Sequence, residues 1–259
     1  MTNIKAIKEN LVTDLRKFCA NAGFTDIVFG LSGGMDSALV LALACEALGS
    51  QRVHTFMMKT KYTSQLSINL ANEIAQNMGN HHQTIDIQPL VDGVANTLTF
   101  TPQKNVTLEN VQARVRGLLC MMYSNEFNWM VLACGNKSEI AMGYCTLYGD
   151  TCGAVMPLGD LYKTQVYEMA ELYNREGKYI IPAGIISRPA TAELAHGQKD
   201  SDSLPSYNIL DPILQNIEQG TENQVPENLA ETLASVKKRM HAASFKRAQL
   251  PPILKTRVK

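Results

Sequence analysis

The chain has 259 residues, 45% of them hydrophobic and 19% charged, with 24 Lys and Arg balancing 24 Asp and Glu. A chain of that length buries roughly 70–75% of its unfolded surface and needs no disulfide or structural metal to hold a core. The zero net charge argues against a dedicated nucleic-acid or membrane-surface binder, and no apolar run reaches the roughly 18 residues of a membrane span.

Residues 2–22 read as an amphipathic helix, with Ile4, Ile7, Leu11, Leu15 and Phe18 three and four apart. Lys5, Lys8, Glu9, Asp14, Arg16 and Lys17 interrupt it, unlike the unbroken apolar stretch of a signal peptide, so a cytoplasmic protein is expected. A short strand, 27–31, runs into Ser32-Gly33-Gly34-Met35-Asp36-Ser37 and then an almost wholly apolar helix, 38–48. A helix without a polar face is predicted to lie buried beside a sheet. A second strand, 52–58, is followed by a helix at 63–78 with Leu66, Leu70, Ile74 and Met78 on one stripe. A third strand spans 83–87, a long helix 108–127 and a fourth strand 129–134. Further helices are predicted at 162–175 and 226–241, and Pro251-Pro252 stops structure near the end. Between them, 187–207 lacks periodicity, as a functional lid does.

Alternating strands and helices predict an α/β fold, a Rossmann-like open parallel sheet flanked by helices. No repeat or linker divides the chain, so 1–259 is expected to be a single domain. Cys19, Cys45, Cys120, Cys134, Cys145 and Cys152 form no C-x-x-C pair and read as buried thiols. Met57, Met58, Met121, Met122 and Met142 read as core, and His81-His82 as surface.

The turn at 32–37 carries the strongest signal. Adjacent glycines let backbone N–H groups approach an anion without Cβ obstruction, and the following helix adds its positive end. A Walker A loop would need a lysine after the second glycine, and a dinucleotide fingerprint would need G-x-G-x-x-G; neither is present. Without a loop lysine, phosphate charge must be neutralised from elsewhere, and Asp36 suits Mg²⁺, which prefers one or two carboxylates plus phosphate oxygens.

Ser-Gly-Gly-x-Asp-Ser after a first strand resembles the N-type ATP pyrophosphatases, which have the adenine nucleotide alpha hydrolase-like fold and cleave ATP to AMP and pyrophosphate. Further stretches resemble NAD synthetases: Asn110-Val111-Gln112-Ala113-Arg114-Val115-Arg116, Gly135-Asn136-Lys137-Ser138-Glu139, Tyr148-Gly149-Asp150, Pro157-Leu158-Gly159-Asp160-Leu161-Tyr162-Lys163, Arg188-Pro189-Ala190-Thr191-Ala192-Glu193-Leu194 and Phe245-Lys246-Arg247-Ala248-Gln249. The resemblance runs from about residue 26 to 252. It implies a two-step ligase: the carboxylate of nicotinic acid adenine dinucleotide is adenylated by ATP, then amidated by ammonia.

By that resemblance, ATP is bound by Gly30, Leu31, Ser32, Gly33, Gly34, Met35, Asp36, Ser37, Cys134, Lys163, Ser187 and Thr191. Asp36 and Glu139 hold Mg²⁺. Asp36, Lys163 and Asp150 are the catalytic candidates, with Asp150 at the ammonia site. Arg114 and Lys246 contact the dinucleotide. Arg114 and Arg116 lie two apart on a helix and cannot share a face, so at least one is expected to make only a structural ion pair. The family forms homodimers with the dinucleotide at the subunit interface.

Three positions depart from the common ammonia-dependent pattern: Leu147 for a lysine, Ala154 for an aspartate and Phe245 for a histidine. The pattern is more similar to the synthetase half of glutamine-dependent NAD synthetases. Because the phosphate loop begins by residue 32, the expectation is use of free ammonia, or of ammonia from a separate subunit. The rival readings are another N-type pyrophosphatase, either an amidotransferase synthetase subunit or a tRNA-modifying enzyme, and a non-catalytic nucleotide-binding module. Scattered cysteines and zero net charge speak against an RNA-modifying enzyme.

Overall fold

The computed structural model describes residues 3–103, 105–195, 197–198 and 200–256. Four parallel strands, β1 (Ile27–Gly30), β2 (Val53–Lys59), β3 (His81–Asp86) and β4 (Met130–Val131), lie in the order β3-β2-β1-β4. Ile27 is in register with Val53 on one side and Met130 on the other. The chain winds outward from β1 to β3 and then returns to place β4 on the far side of β1. That reversal opens a crevice at the carboxyl ends of β1 and β4, where open α/β sheets bind ligands.

The helices are α1 (Ile4–Asn21), α2 (Met35–Leu48), α3 (Gln65–Met78), α4 (Gln88–Asn96), α5 (Asn105–Phe127), α6 (Lys137–Ala141), α7 (Lys163–Glu176), α8 (Ala183–Ser187), α9 (Tyr207–Gln219), α10 (Ala230–Ala242) and α11 (Ser244–Arg247). β1 is buried on both faces, and its alternation divides the core. Ile27 and Phe29 join α1, α2, α3 and α7 on one side; Val28 joins Phe56, Met58, Ile87, Val91, Val115 and Cys120 under α4 and α5 on the other. α2 is buried all round, as its lack of polar positions predicts; Leu39, Leu41 and Leu43 have no exposed surface.

Several boundaries move. β3 starts at His81 rather than 83, because this edge strand is mostly polar and exposed and carries no apolar run. There His82 is half-buried, with Nδ1 2.8 Å from Thr55 Oγ1, so only His81 is surface as expected. β4 shortens to two residues: Leu132 N still donates to the Val28 carbonyl at 3.1 Å, but the residue bridges Val155 on its other side. The late helix begins at Ala230, after a 3-10 turn at Glu227–Leu229. Met57, Met58 and Met142 are core, but Met121 and Met122 are 38% and 57% exposed, because they sit on the face of α5 turned away from the sheet. Among the described residues, no helix is long and apolar enough to cross a membrane.

Candidate active site

The loop between β1 and α2 is held in shape by its own residues. Gly33 adopts φ +73°, and a Cβ there would lie 2.3 Å from the Ser67 carbonyl oxygen, so no larger residue fits. Ser37 Oγ donates to the Gly34 carbonyl at 3.1 Å and accepts from Ser32 N at 3.2 Å, while Ser32 Oγ accepts from Gly34 N at 3.2 Å. No side chain caps α2 at Gly34, so its first-turn N–H groups and positive end face the crevice.

Lys163 is the central charge. Its side chain is 2% exposed and its Nζ contacts Asp36 Oδ2 and, at 3.3 Å, Glu139 Oε1. Burial alone would lower the Lys163 pKa, but Asp36 and Glu139 hold it above the ordinary lysine value, so it stays charged. Burial, with Asp36 nearby, pushes the Glu139 carboxyl up, and Lys163 opposes that shift. Asn136 organises the pair: its Nδ2 donates to Asp36 Oδ1 at 2.8 Å, and its Oδ1 accepts from Glu139 N at 3.0 Å in a capping box. Two carboxyl groups share one ammonium, so oxygen donors are left over for a second cation. Hard oxygen donors that already share one cation suit Mg²⁺, which completes its shell with phosphate oxygens and water. Among the described residues no cluster of three or more metal-binding side chains exists, and Mg²⁺ needs none.

Asp36, Glu139 and Lys163 line a cleft of about 290 Å³ that also takes in Gly30, Leu31, Ser32, Gly34, Met35, Ser37, Cys134, Asp150 and Thr191. Asp150 is exposed where it opens onto the cleft and accepts from Thr146 N at 2.7 Å; partial desolvation at the cleft wall raises its pKa. Thr191 Oγ1 donates to the Gln198 carbonyl at 2.5 Å. The start of the segment read as a lid is tied to α3: Arg188 Nη1 donates to Ser67 Oγ at 2.7 Å, and Ser64 Oγ donates to Glu193 Oε1 at 2.8 Å.

Four of the expected residues lie outside the cleft lining. Gly33 faces α3 and shapes the loop from behind. Ser187 ends α8 on the surface. Arg114 is exposed, donating to the Leu147 carbonyl at 3.2 Å. Lys246 Nζ donates to the Gly143 and Cys145 carbonyls at 2.8 and 2.6 Å. It is Arg116 that lines the cleft, with Nε 3.1 Å from the Met58 carbonyl. Both arginines hold backbone oxygens; among the described residues neither makes a close ion pair, although Glu193 attracts Arg116 electrostatically. Four cysteines, Cys120, Cys134, Cys145 and Cys152, line the cleft as well. Burial pushes Cys120 up to about 12 and Cys145 to about 11, so these thiols stay protonated and are not nucleophiles at neutral pH.

Residue-by-residue reading of the sequence misses Asn136, Arg188, Asp200 and Asp211. Asn136 was legible as an N-cap three residues before Glu139. Asp200 comes from within the 187–207 segment and Asp211 from the helix after it, and only the fold brings them near Lys163 and Thr164.

Over 250 residues, 93% of its length, the chain is 42% identical to the glutamine-dependent NAD(+) synthetase of Xanthomonas campestris pv. campestris (strain 8004), of which it covers 45%. It thus spans about half the length of the curated relatives it matches. The NMN synthetase of Francisella tularensis superposes with a TM-score of 0.81 at 28% identity, covering 94% of this chain and 96% of that one. The NH3-dependent NAD synthetase of Campylobacter jejuni superposes with a TM-score of 0.79 at 28% identity, covering 98% and 100%. The family model described as NAD synthase matches residues 7–250, and the chain belongs to that family.

Proposed function

We propose that this chain converts nicotinic acid adenine dinucleotide to NAD with ATP and ammonia, releasing AMP and pyrophosphate. The observation that carries the reading is the Asp36–Lys163–Glu139 cluster at the sheet's carboxyl edge, beside an uncapped helix start. That arrangement suits a polyphosphate chain and its cation.

In the first step a carboxylate oxygen of the substrate attacks the α-phosphorus of ATP. The bond to the bridging oxygen breaks and pyrophosphate leaves. The loop N–H groups and the positive end of α2 stabilise the departing charge, and Lys163 adds a buried ammonium. Asp36 and Glu139 would hold Mg²⁺, which when bound neutralises phosphate charge. In the second step ammonia attacks the acyl carbon, AMP leaves and the nitrogen loses a proton. Asp150, which opens onto the cleft with a raised pKa, takes that proton in this reading. The lid, with Thr191, keeps water from the acyl adenylate.

Arg114 lies outside the cleft on the same α5 face as Leu118 and Met122, both more than half exposed. An apolar face of this kind supports a homodimer, with Arg114 meeting the dinucleotide near the interface. Lys246 is the second dinucleotide contact in this reading, and Ser187 an ATP contact on lid movement. The nucleophile is ammonia, whether free or released from glutamine elsewhere. A second reading takes the mononucleotide of nicotinate as acceptor. It is favoured by the likeness to an NMN synthetase and by Leu147, Ala154 and Phe245 at dinucleotide-contact positions.

Exchange of labelled pyrophosphate into ATP tests the first step without ammonia. Exchange that requires the dinucleotide supports the proposal, exchange driven only by the mononucleotide selects the second reading, and exchange with neither acceptor overturns both.

A further inference from the structure

Asp211 is 1% exposed, and no lysine or arginine pairs with it among the described residues. A buried carboxylate without a counter-charge is costly unless hydrogen bonds and dipoles hold it. Asp211 Oδ1 accepts from Ser138 Oγ at 2.5 Å, and Oδ2 accepts from Thr164 N at 2.8 Å. Ser138 Oγ in turn accepts from Lys163 N at 2.9 Å. The carboxylate therefore faces the positive end of α7 and joins it to α6. Ser138 precedes Glu139, and Thr164 follows Lys163, so each bond falls next to a residue of the charged cluster.

Two helical turns on, α9 repeats the pattern. Glu218 accepts from Lys137 Nζ of α6 at 2.7 Å and from the hydroxyl of Tyr162, the N-cap of α7, at 2.6 Å. One turn before Asp211, the ring of Tyr207 lies 5.4 Å from Lys163 Nζ, and its hydroxyl donates to Asp200 at 2.8 Å. Tyr207, Asp211 and Glu218 thus form one stripe along α9 that grips the first turns of α6 and α7 together.

We infer that α9 is a clamp that positions Lys163 and Glu139, and that Asp211 is its principal positioning residue. The inference rests on the reading of Lys163 as an ATP-phosphate contact. A plain structural cap would stabilise α7 without affecting how well Lys163 meets its ligand. A positioning residue acts through Lys163, so its effect disappears when Lys163 is removed.

The test is a double-mutant cycle on the full chain, with Mg·ATP affinity read by titration calorimetry and melting temperature recorded alongside. Lys163→Met is expected to weaken Mg·ATP about tenfold, and Asp211→Asn and Ser138→Ala about fivefold each. Adding either of the latter to Lys163→Met is expected to change affinity by less than about twofold. The same loss in both backgrounds, unchanged affinity in both clamp variants, or unchanged affinity in Lys163→Met would each overturn the clamp. Should Asp211→Asn fail to fold, Ser138→Ala, which keeps the Asp211 bond to Thr164, completes the cycle. A parallel product assay on the wild type separates the two proposals: Mg·ATP binding with the expected coupling but no amidated nucleotide retains the clamp and rejects the synthetase reading.

Discussion

Asp36 meets three demands at one position. It lies in the first turn of α2, contacts Lys163 and accepts from Asn136, so it can hand a cation to phosphate without losing its orientation. Asp36→Asn is expected to lower turnover by roughly 10²–10³ while leaving ATP affinity within about tenfold, measured by steady-state kinetics and calorimetry. Unchanged turnover would remove Asp36 from the chemistry. Asp200 makes a separate pH prediction. Its ordinary value is 3.8 and burial raises it in the folded chain, with Tyr207 opposing. Below 3.8 both folded and unfolded chains carry the proton; as pH rises, the unfolded chain releases it first. Stability is therefore lost as pH rises from about 4 through the raised folded value. Asp200→Asn should flatten that slope in urea midpoints taken across the window, and an identical slope would show that another group governs it. The phosphate loop was legible at this scale because glycines and serines act locally. Arg116 over Arg114 was not, since only the packing of α5 decides which arginine faces the cleft.

Among the elements, α2 is the one whose burial follows most directly from its residues. It has no polar face, and it lies between α1, α3 and α7 against the sheet. Leu41 is wholly buried, so Leu41→Ala should cost about 2–5 kcal/mol in denaturant unfolding. A loss under 1 kcal/mol would mean that the site collapses around the smaller residue. β1, β2 and the helices with a clear apolar period were readable for the same reason. β4 was overextended, because its apolar run continues into Leu132 and Ala133, which turn to pair with Val155. α4 and α9 were not anticipated: α4 carries Pro89 and Gly93, and α9 carries Pro212 inside it, all residues that read as breaks. Missing α9 hid the clamp, whose Asp211 and Glu218 look like ordinary helix acids until α6 and α7 are seen to start beside them.

For the whole molecule, the α5 face is the feature a lone chain leaves unexplained. Leu118, Met121, Met122 and Phe127 are exposed on one helix, together with Phe100 on the preceding segment. Met122→Glu should shift the chain from dimer to monomer in sedimentation while leaving its far-UV spectrum unchanged; wild-type chain that already sediments as a monomer would contradict the dimer. The α/β architecture and the family were within reach of the sequence, because the motifs occur in order along most of its length. The acceptor, nicotinic acid adenine dinucleotide, was implied only by the resemblance, since Leu147, Ala154 and Phe245 depart from the common ammonia-dependent pattern. The most direct test of the central claim is a product assay. Purified chain with ATP and Mg²⁺ is offered either nicotinic acid nucleotide, with ammonium or glutamine, and NAD, NMN, AMP and pyrophosphate are quantified. NAD, AMP and pyrophosphate are expected in equal amounts from the dinucleotide and ammonium. AMP release without any amidated nucleotide, or no turnover with either acceptor, would contradict the claim.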